Sequence, residues 1–424
     1  MLPSARPAKG VPPAHGARTH SRPKLTMQLR TRFLALQAHL ETCHAYWRPA
    51  PFHDPQPAWC AEHPALAAAA LALDDDTLEH HGAAPEEAAA WLSSQLPVLH
   101  ALNALSTFPP CAVHALPPLN SRLHAEVPGR KKAQIDAFVA HLPTLTGPVL
   151  EWCAGKGHLG RRLHHARGVA VEALEIDPGL CAEAARLAAR QGLPQAIVEG
   201  DATSPDTLAL VRDRDVLALH ACGELHRQLV RTAADNGARS LHIAPCCYAH
   251  GVTHTYRPLS QEAALTLDRN ALRLAVTETV TAPLHDRRRL ARDQAWKLGF
   301  TALRAALDEG RGDPAHSSRA FRPVPAAWLK ADFAHFCTQL AAREGVQLPS
   351  RVDWPHWEQL GVARRDQVRR LELVRHAFRR PIEVWLALDL ALGLEERGFE
   401  VSLGAFCART LTPRNLLISA HRRM

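Results

Sequence analysis

The chain has 424 residues, 46% hydrophobic and 22% charged, which is globular composition and excludes a disordered or fibrous protein. The net charge is +8, but Arg6, Lys9, Arg18, Arg22, Lys24, Arg30 and Arg32 all precede the first acidic residue, Glu41. The excess therefore sits mostly in a tail, and basicity alone is weak evidence for a nucleic-acid partner. No apolar run reaches the roughly eighteen residues of a membrane span, and the N-terminus lacks the apolar stretch of a secretory leader. Ten cysteines without the spacing of a secreted scaffold point to reduced thiols and a cytoplasmic location.

Residues 1–26 are rich in Pro, Gly, Ala and Arg without periodicity, and they read as a disordered basic tail. Met27 opens a better-patterned segment and is a second candidate translation start. From 27 to 130 the pattern is helical: Phe33, Leu34, Leu36 and Leu40 share one face, and Leu92, Leu96, Leu99 and Leu102 another. Pro-rich stretches at Pro49–Pro57 and Pro109–Pro118 interrupt this N-terminal helical domain or cap.

From Gly147 short apolar runs alternate with amphipathic helices, the pattern of a parallel sheet. Strands are expected at Val149–Cys153, Val169–Glu175, Ala196–Glu199, Val216–His220 and Leu241–Ala244. Helices are expected at His158–Ala166, Pro178–Gln191 and Glu224–Asn236. Residues 252–378 read as a helical insertion. The earlier pattern then resumes, with a helix at Ile382–Arg397 and two strand-like runs, Phe399–Phe406 and Leu416–Ala420, joined by Thr412-Pro413-Arg414-Asn415. A short link favours an antiparallel pair at the sheet edge. The expected fold is α/β: five parallel strands plus a C-terminal antiparallel pair, assembled from 131–251 and 379–424.

The strongest motif is Glu151-Trp-Cys-Ala-Gly155-Lys-Gly157-His-Leu-Gly160, which holds a G-x-G-x-x-G between a strand and a helix. Glycine is needed where the backbone turns tightly against a ligand. Glu175 follows Gly155 by twenty residues, at the end of the second strand, where a carboxylate accepts ribose hydroxyls. These features fit a dinucleotide and S-adenosylmethionine alike. Three details favour the latter. Glu151 suits a cationic methionine end, where a dinucleotide site prefers an apolar residue. Asp201, in Glu199-Gly200-Asp201, closes the third strand opposite an adenine amino group. The terminal strand pair suits a methyltransferase sheet better than a dehydrogenase sheet.

Strand four ends in His220-Ala-Cys222-Gly223-Glu-Leu-His226 and strand five in Pro245-Cys246-Cys247-Tyr248, both at the ligand end of an open sheet. Four readings stand. His220, Cys222, Cys246, Cys247 and Tyr248 line a polar acceptor pocket, where alignment and deprotonation suffice for transfer. Alternatively a thiol attacks a pyrimidine ring. Metal binding by the three cysteines and a histidine is the third reading; adjacent cysteines rarely chelate one ion and no C-x-x-C occurs, so no metal is expected. Last, the cysteines are small apolar core groups.

Together, His-Ala-Cys-Gly-Glu-Leu-His, Pro-Cys-Cys-Tyr and Thr412-Pro-Arg-Asn resemble a branch of the class I S-adenosylmethionine-dependent methyltransferases with a Cys-Cys-Tyr/His signature. That branch holds bacterial proteins and eukaryotic methyltransferase-like proteins and, more distantly, the tRNA acceptor-stem ribose 2′-O-methyltransferase. The resemblance spans roughly 130–424, including Lys131-Lys132 and Phe378-Arg379-Arg380-Pro381; nothing here matches the small zinc modules of the tRNA relative. It implies a Rossmann-like class I sheet with cofactor at Glu151, Gly155, Gly157, Gly160, Glu175 and Asp201, and O- or N-methylation by direct transfer. RNA, tRNA or rRNA, is the leading acceptor; protein or a small molecule is the alternative. An inactive binding module and an NAD-dependent oxidoreductase are the competing functions. Arg287-Arg288-Arg289-Arg292 and Arg364-Arg365-Arg369-Arg370 form helical stripes that either follow a phosphate backbone or are solvated faces with internal ion pairs.

Overall fold

A computed structural model describes residues 23–118, 127–277, 284–309 and 322–423. Residues 1–22 of the expected tail lie outside these. The first helix, α1, spans Pro23–Thr42, so it opens ahead of the boundary placed at Met27.

Seven strands form one sheet: β1 Val149–Trp152, β2 Val171–Glu175, β3 Gln195–Glu199, β4 Asp215–Cys222, β5 Ser240–Cys246, β6 Phe399–Ala405 and β7 Leu416–Arg422. Their order is β3-β2-β1-β4-β5-β7-β6. The first five are parallel, and β7 runs antiparallel to both β5 and β6. The mixed sheet with its terminal pair is the expected Rossmann-like class I architecture. The connections are α2 Gly129–His141 before β1, α3 His158–Arg167, α4 Pro178–Gln191 and α5 Glu224–Thr232. Strand order reverses between β1 and β4, so a crevice opens at their C-terminal ends.

Strands β4 and β5 run two residues past the expected ends. Ala221-Cys222 and Pro245-Cys246 read as loop in sequence, but an irregularity between Leu219 and Cys222 lets pairing continue to Cys222 opposite Cys246. Between residues 252 and 378 lie α6 Arg269–Val276, α7 Leu284–Glu309, α8 Phe333–Glu344 and α9 Trp354–His376, with no strand among the described residues. Trp296, Phe300, Phe333, Phe336 and Leu340 give α7 and α8 a small core of their own.

Helix α10, Arg379–Glu395, is buried at every position from Pro381 to Leu394. One face meets the sheet and another meets α1, where Phe33 stacks on Trp385 with centroids 5.2 Å apart. Asp389 is wholly buried within it and accepts Tyr256 Oη at 2.7 Å and the Leu259 and Ser260 amides at 2.9 Å. These bonds tie the chain leaving β5 to the last helix, and desolvation raises the Asp389 carboxyl to about 6. No helix among the described residues is long and apolar enough to cross a membrane.

Candidate active site

The expected cofactor residues converge at the C-terminal edge of β1, β2 and β3. Gly155 has φ +57°, and a Cβ built there would meet nothing within 4 Å. Its left-handed backbone thus borders open space, the cradle a ligand needs. Its amide donates to Glu175 Oε2 at 2.7 Å, while Glu175 Oε1 takes the Ile176 and Asp177 amides at 3.0 and 3.1 Å. Three backbone donors hold this buried carboxylate in place and leave acceptor capacity for a further hydroxyl.

Gly157 and Gly160 answer a different need. A Cβ at Gly157 would lie 2.7 Å from Gln195 Nε2, and one at Gly160 would lie 2.8 Å from Glu151 Oε2. Gln195, at the start of β3, donates to the Gly157 carbonyl at 3.0 Å and accepts from Arg161 at 3.1 Å. The second and third glycines therefore pack against protein; only the first faces open space. Gln195 carries no motif signal, since its link to Gly157 exists only once β3 and α3 are side by side.

Glu151 is buried and accepts the Gly160 amide at 2.9 Å. Desolvation lifts its carboxyl to about 7, against the pull of the Gly160 amide, Arg161 and Lys131. Asp201 is exposed and held in a turn by the Thr203 amide and hydroxyl, both at 2.8 Å, which lower its pKa.

Three non-glycine residues at strand ends adopt left-handed backbone: Cys153 at φ +56°, His220 at +68° and Cys247 at +42°. Each costs about 1–3 kcal/mol, and such residues gather at functional sites. His220 is half-buried, and its Nε2 faces Gln134 Oε1 at 3.0 Å. The Gln134 amide nitrogen is committed to the Leu411 carbonyl at 3.4 Å, so its oxygen faces His220. Nε2 then carries the proton and Nδ1 the lone pair. Burial, then Lys131, lowers the His220 pKa, favouring the neutral ring. Lys131 and Gln134 thus bring α2 to the site, while Lys132 pairs along its own helix with Asp136 at 3.3 Å.

Cys222 Sγ and Cys246 Sγ are 3.3 Å apart, and Cys247 completes a cluster with all three sulfurs within 4.8 Å of one another. The Cys246 thiol, with Arg414 and His250 farther out, lowers Cys247; Cys246 itself is raised, first by Cys222. Tyr248 belongs to the hydrophobic core. It is fully buried, its ring edge-on to His226 at 5.9 Å, and its hydroxyl and His226 Nε2 have no protein partner. Gly223 gives room to the loop after β5, since a Cβ there would strike the His250 carbonyl.

The Arg414 and Arg380 guanidiniums flank buried Glu383, at 3.7 and 2.9 Å. This ion group joins the Thr412-Pro-Arg-Asn and Phe-Arg-Arg-Pro segments, whose roles sequence reading left open. Beyond it opens a cleft of about 510 Å³, lined in part by Arg379, Arg380, Arg409, His376 and Asn415 and containing none of the cofactor residues. The arginine stripes of the insertion are largely engaged internally. Arg287 pairs with Glu79, Arg289 with Asp286, and Arg369 and Arg370 with Asp75. Arg292 donates to the Leu329 carbonyl and Arg364 to that of Pro51.

Residues 130–253 match a family model described as a methyltransferase domain. The matched stretch runs from α2 through β5 of the Rossmann-like sheet. No curated protein matches the chain. Solved structures similar to part of it include the N-terminal domain of EvdMO1 with SAH bound, at 21% identity over 26% of this chain and 46% of that one, TM-score 0.22. A putative sarcosine dimethylglycine methyltransferase from Galdieria sulphuraria is 15% identical over 31% of this chain and 52% of that one, TM-score 0.21. The glycopeptide N-methyltransferase MtfA complexed with S-adenosylmethionine is 18% identical over 36% and 72%, TM-score 0.22. The chain spans about half the length of the first two.

Proposed function

We propose that the protein is an S-adenosylmethionine-dependent methyltransferase acting on RNA by direct displacement. The observation that carries the cofactor reading is Gly155: left-handed, open on its Cβ side, and fixed by Glu175 at the strand-order reversal. S-adenosylmethionine supplies an electrophilic methyl on a sulfonium. Glu175 would take the ribose hydroxyls with its remaining lone pairs, and the exposed Asp201 the adenine amino group. Glu151 lies where it would face the cationic methionine end, and Gly157 and Gly160 keep α3 close enough for its first turn to border the ligand.

On the acceptor side, His220 Nδ1 would receive the proton of an attacking hydroxyl or amine, with Gln134 holding the ring's tautomer. Cys222, Cys246 and Cys247 would border the same space, and Tyr248 would anchor the segment from behind. The RNA reading rests on the cleft, whose arginines could take phosphates while the acceptor nucleotide reaches past Arg414.

The test is incubation with methyl-labelled S-adenosylmethionine and separated RNA, protein and small-molecule fractions. Label in RNA that nuclease releases is the expected result. Label in another fraction would keep the transfer and overturn the acceptor.

A further inference from the structure

We infer that Cys222, Cys246 and Cys247 bind one soft divalent cation, with Zn²⁺ the first candidate, at the shared end of β4 and β5. Chain spacing alone argues against a chelate, because neighbouring residues of a strand point to opposite faces. Two departures from regular strand geometry overcome this. Continuing the pairing Leu219↔Ala244 without a break would set Ala221 opposite Cys246. The irregularity after Leu219, with His220 at φ +68°, inserts one residue and sets Cys222 there instead. Then Cys247, at φ +42°, turns its thiol back to the side of its neighbour. Left-handed backbone is strained for a non-glycine residue, and here it is adopted on both strands near the point where the thiols meet.

The distances suit the ion. Zn–S bonds of about 2.3 Å in a tetrahedron separate two sulfurs by about 3.8 Å. The Cys222–Cys246 separation is 3.3 Å, and none of the three exceeds 4.8 Å. Thiolates select soft cations over Mg²⁺ or Ca²⁺. Three protein ligands, with Cys247 exposed, leave one position for an outside ligand, the arrangement of reactive rather than structural zinc. The inference needs only the three sulfurs and stands apart from the methyl-transfer reading.

The full-length protein, reduced and stripped of metal, is titrated with Co²⁺ and then with Zn²⁺. The expected result is one equivalent of Co²⁺ with thiolate-to-metal absorption and intense tetrahedral visible bands, displaced by one equivalent of Zn²⁺. Cys222→Ser and Cys247→Ser should each weaken binding at least about tenfold, the loss that even an indirect partner brings. Cys60→Ser, remote from the cluster, should leave it unchanged. Should Cys222→Ser fail to fold, Cys247→Ser decides, since its side chain is exposed. A folded, reduced protein without the thiolate band, or bands that persist in Cys247→Ser, would overturn the inference.

Discussion

The Gly155 amide donates to Glu175 Oε2 at 2.7 Å, joining the turn after β1 to the end of β2. This one bond joins the turn that needs a bare backbone to the carboxylate that needs a fixed direction. Glu175→Ala leaves three backbone amides without their acceptor, each worth about 1 kcal/mol. The variant should lose stability by about 1–3 kcal/mol and S-adenosylhomocysteine affinity by more than tenfold. Denaturant melts with and without ligand separate the two losses.

Gly155→Ala puts a methyl into the open cradle and strains a left-handed residue by about 1 kcal/mol. Gly192 is the matched control, left-handed at φ +64° and equally open, but at the far end of α4. Both alanine variants should melt alike, and only Gly155→Ala should weaken ligand binding in calorimetry. Equal affinity in the two would show that the first glycine serves the turn alone.

Glu151 gives a pH dependence whose sign is fixed. Its carboxyl is raised to about 7, so folding favours the protonated form; that stability is full below about pH 4 and is lost as pH rises through 7. Glu151→Gln should therefore stabilise the ligand-free protein at pH 8 by an amount on the order of 2–3 kcal/mol and change little at pH 5. The α-ammonium at the ligand's amino-acid end would favour the carboxylate, so wild-type affinity for S-adenosylhomocysteine should rise from pH 6 to pH 8 and that of Glu151→Gln should stay flat.

Asp389→Ala removes the acceptor shared by Tyr256, Leu259 and Ser260 inside the core. A cost of about 3–5 kcal/mol follows from orphaning buried donors beside a cavity. Asp389→Asn keeps one acceptor oxygen and should cost less, as thermal melts would show.

On the proposed RNA reading, Arg379→Glu with Arg409→Glu in the cleft should raise the KM for RNA at least about tenfold and leave S-adenosylhomocysteine affinity unchanged, since none of the cofactor residues lines that cleft. An unchanged KM would move the acceptor elsewhere on the molecule.

Much of the fold is written locally. The alternation from Val149 to Leu241 and the turn residues after Phe406 are short-range signals, and the strands fell where they pointed. What required three dimensions was the meaning of individual groups. The glycine motif does not say that Gly157 and Gly160 bare their faces to Gln195 and Glu151 while Gly155 faces space. The arginine stripes cannot be matched to Asp75 and Glu79 in sequence, because those partners lie some hundreds of residues away along the chain. Nor can spacing reveal that a bulge in β4 and a left-handed Cys247 gather three thiols, since period-two alternation says the reverse.

The most direct measurement of the cofactor assignment is isothermal titration of the purified protein with S-adenosylhomocysteine, with NADH as control and Gly155→Ala alongside. Saturable binding of one S-adenosylhomocysteine, weakened in the variant, with no heat from NADH, is the expected result. Saturable NADH binding, or a folded wild-type protein indifferent to S-adenosylhomocysteine, would contradict it.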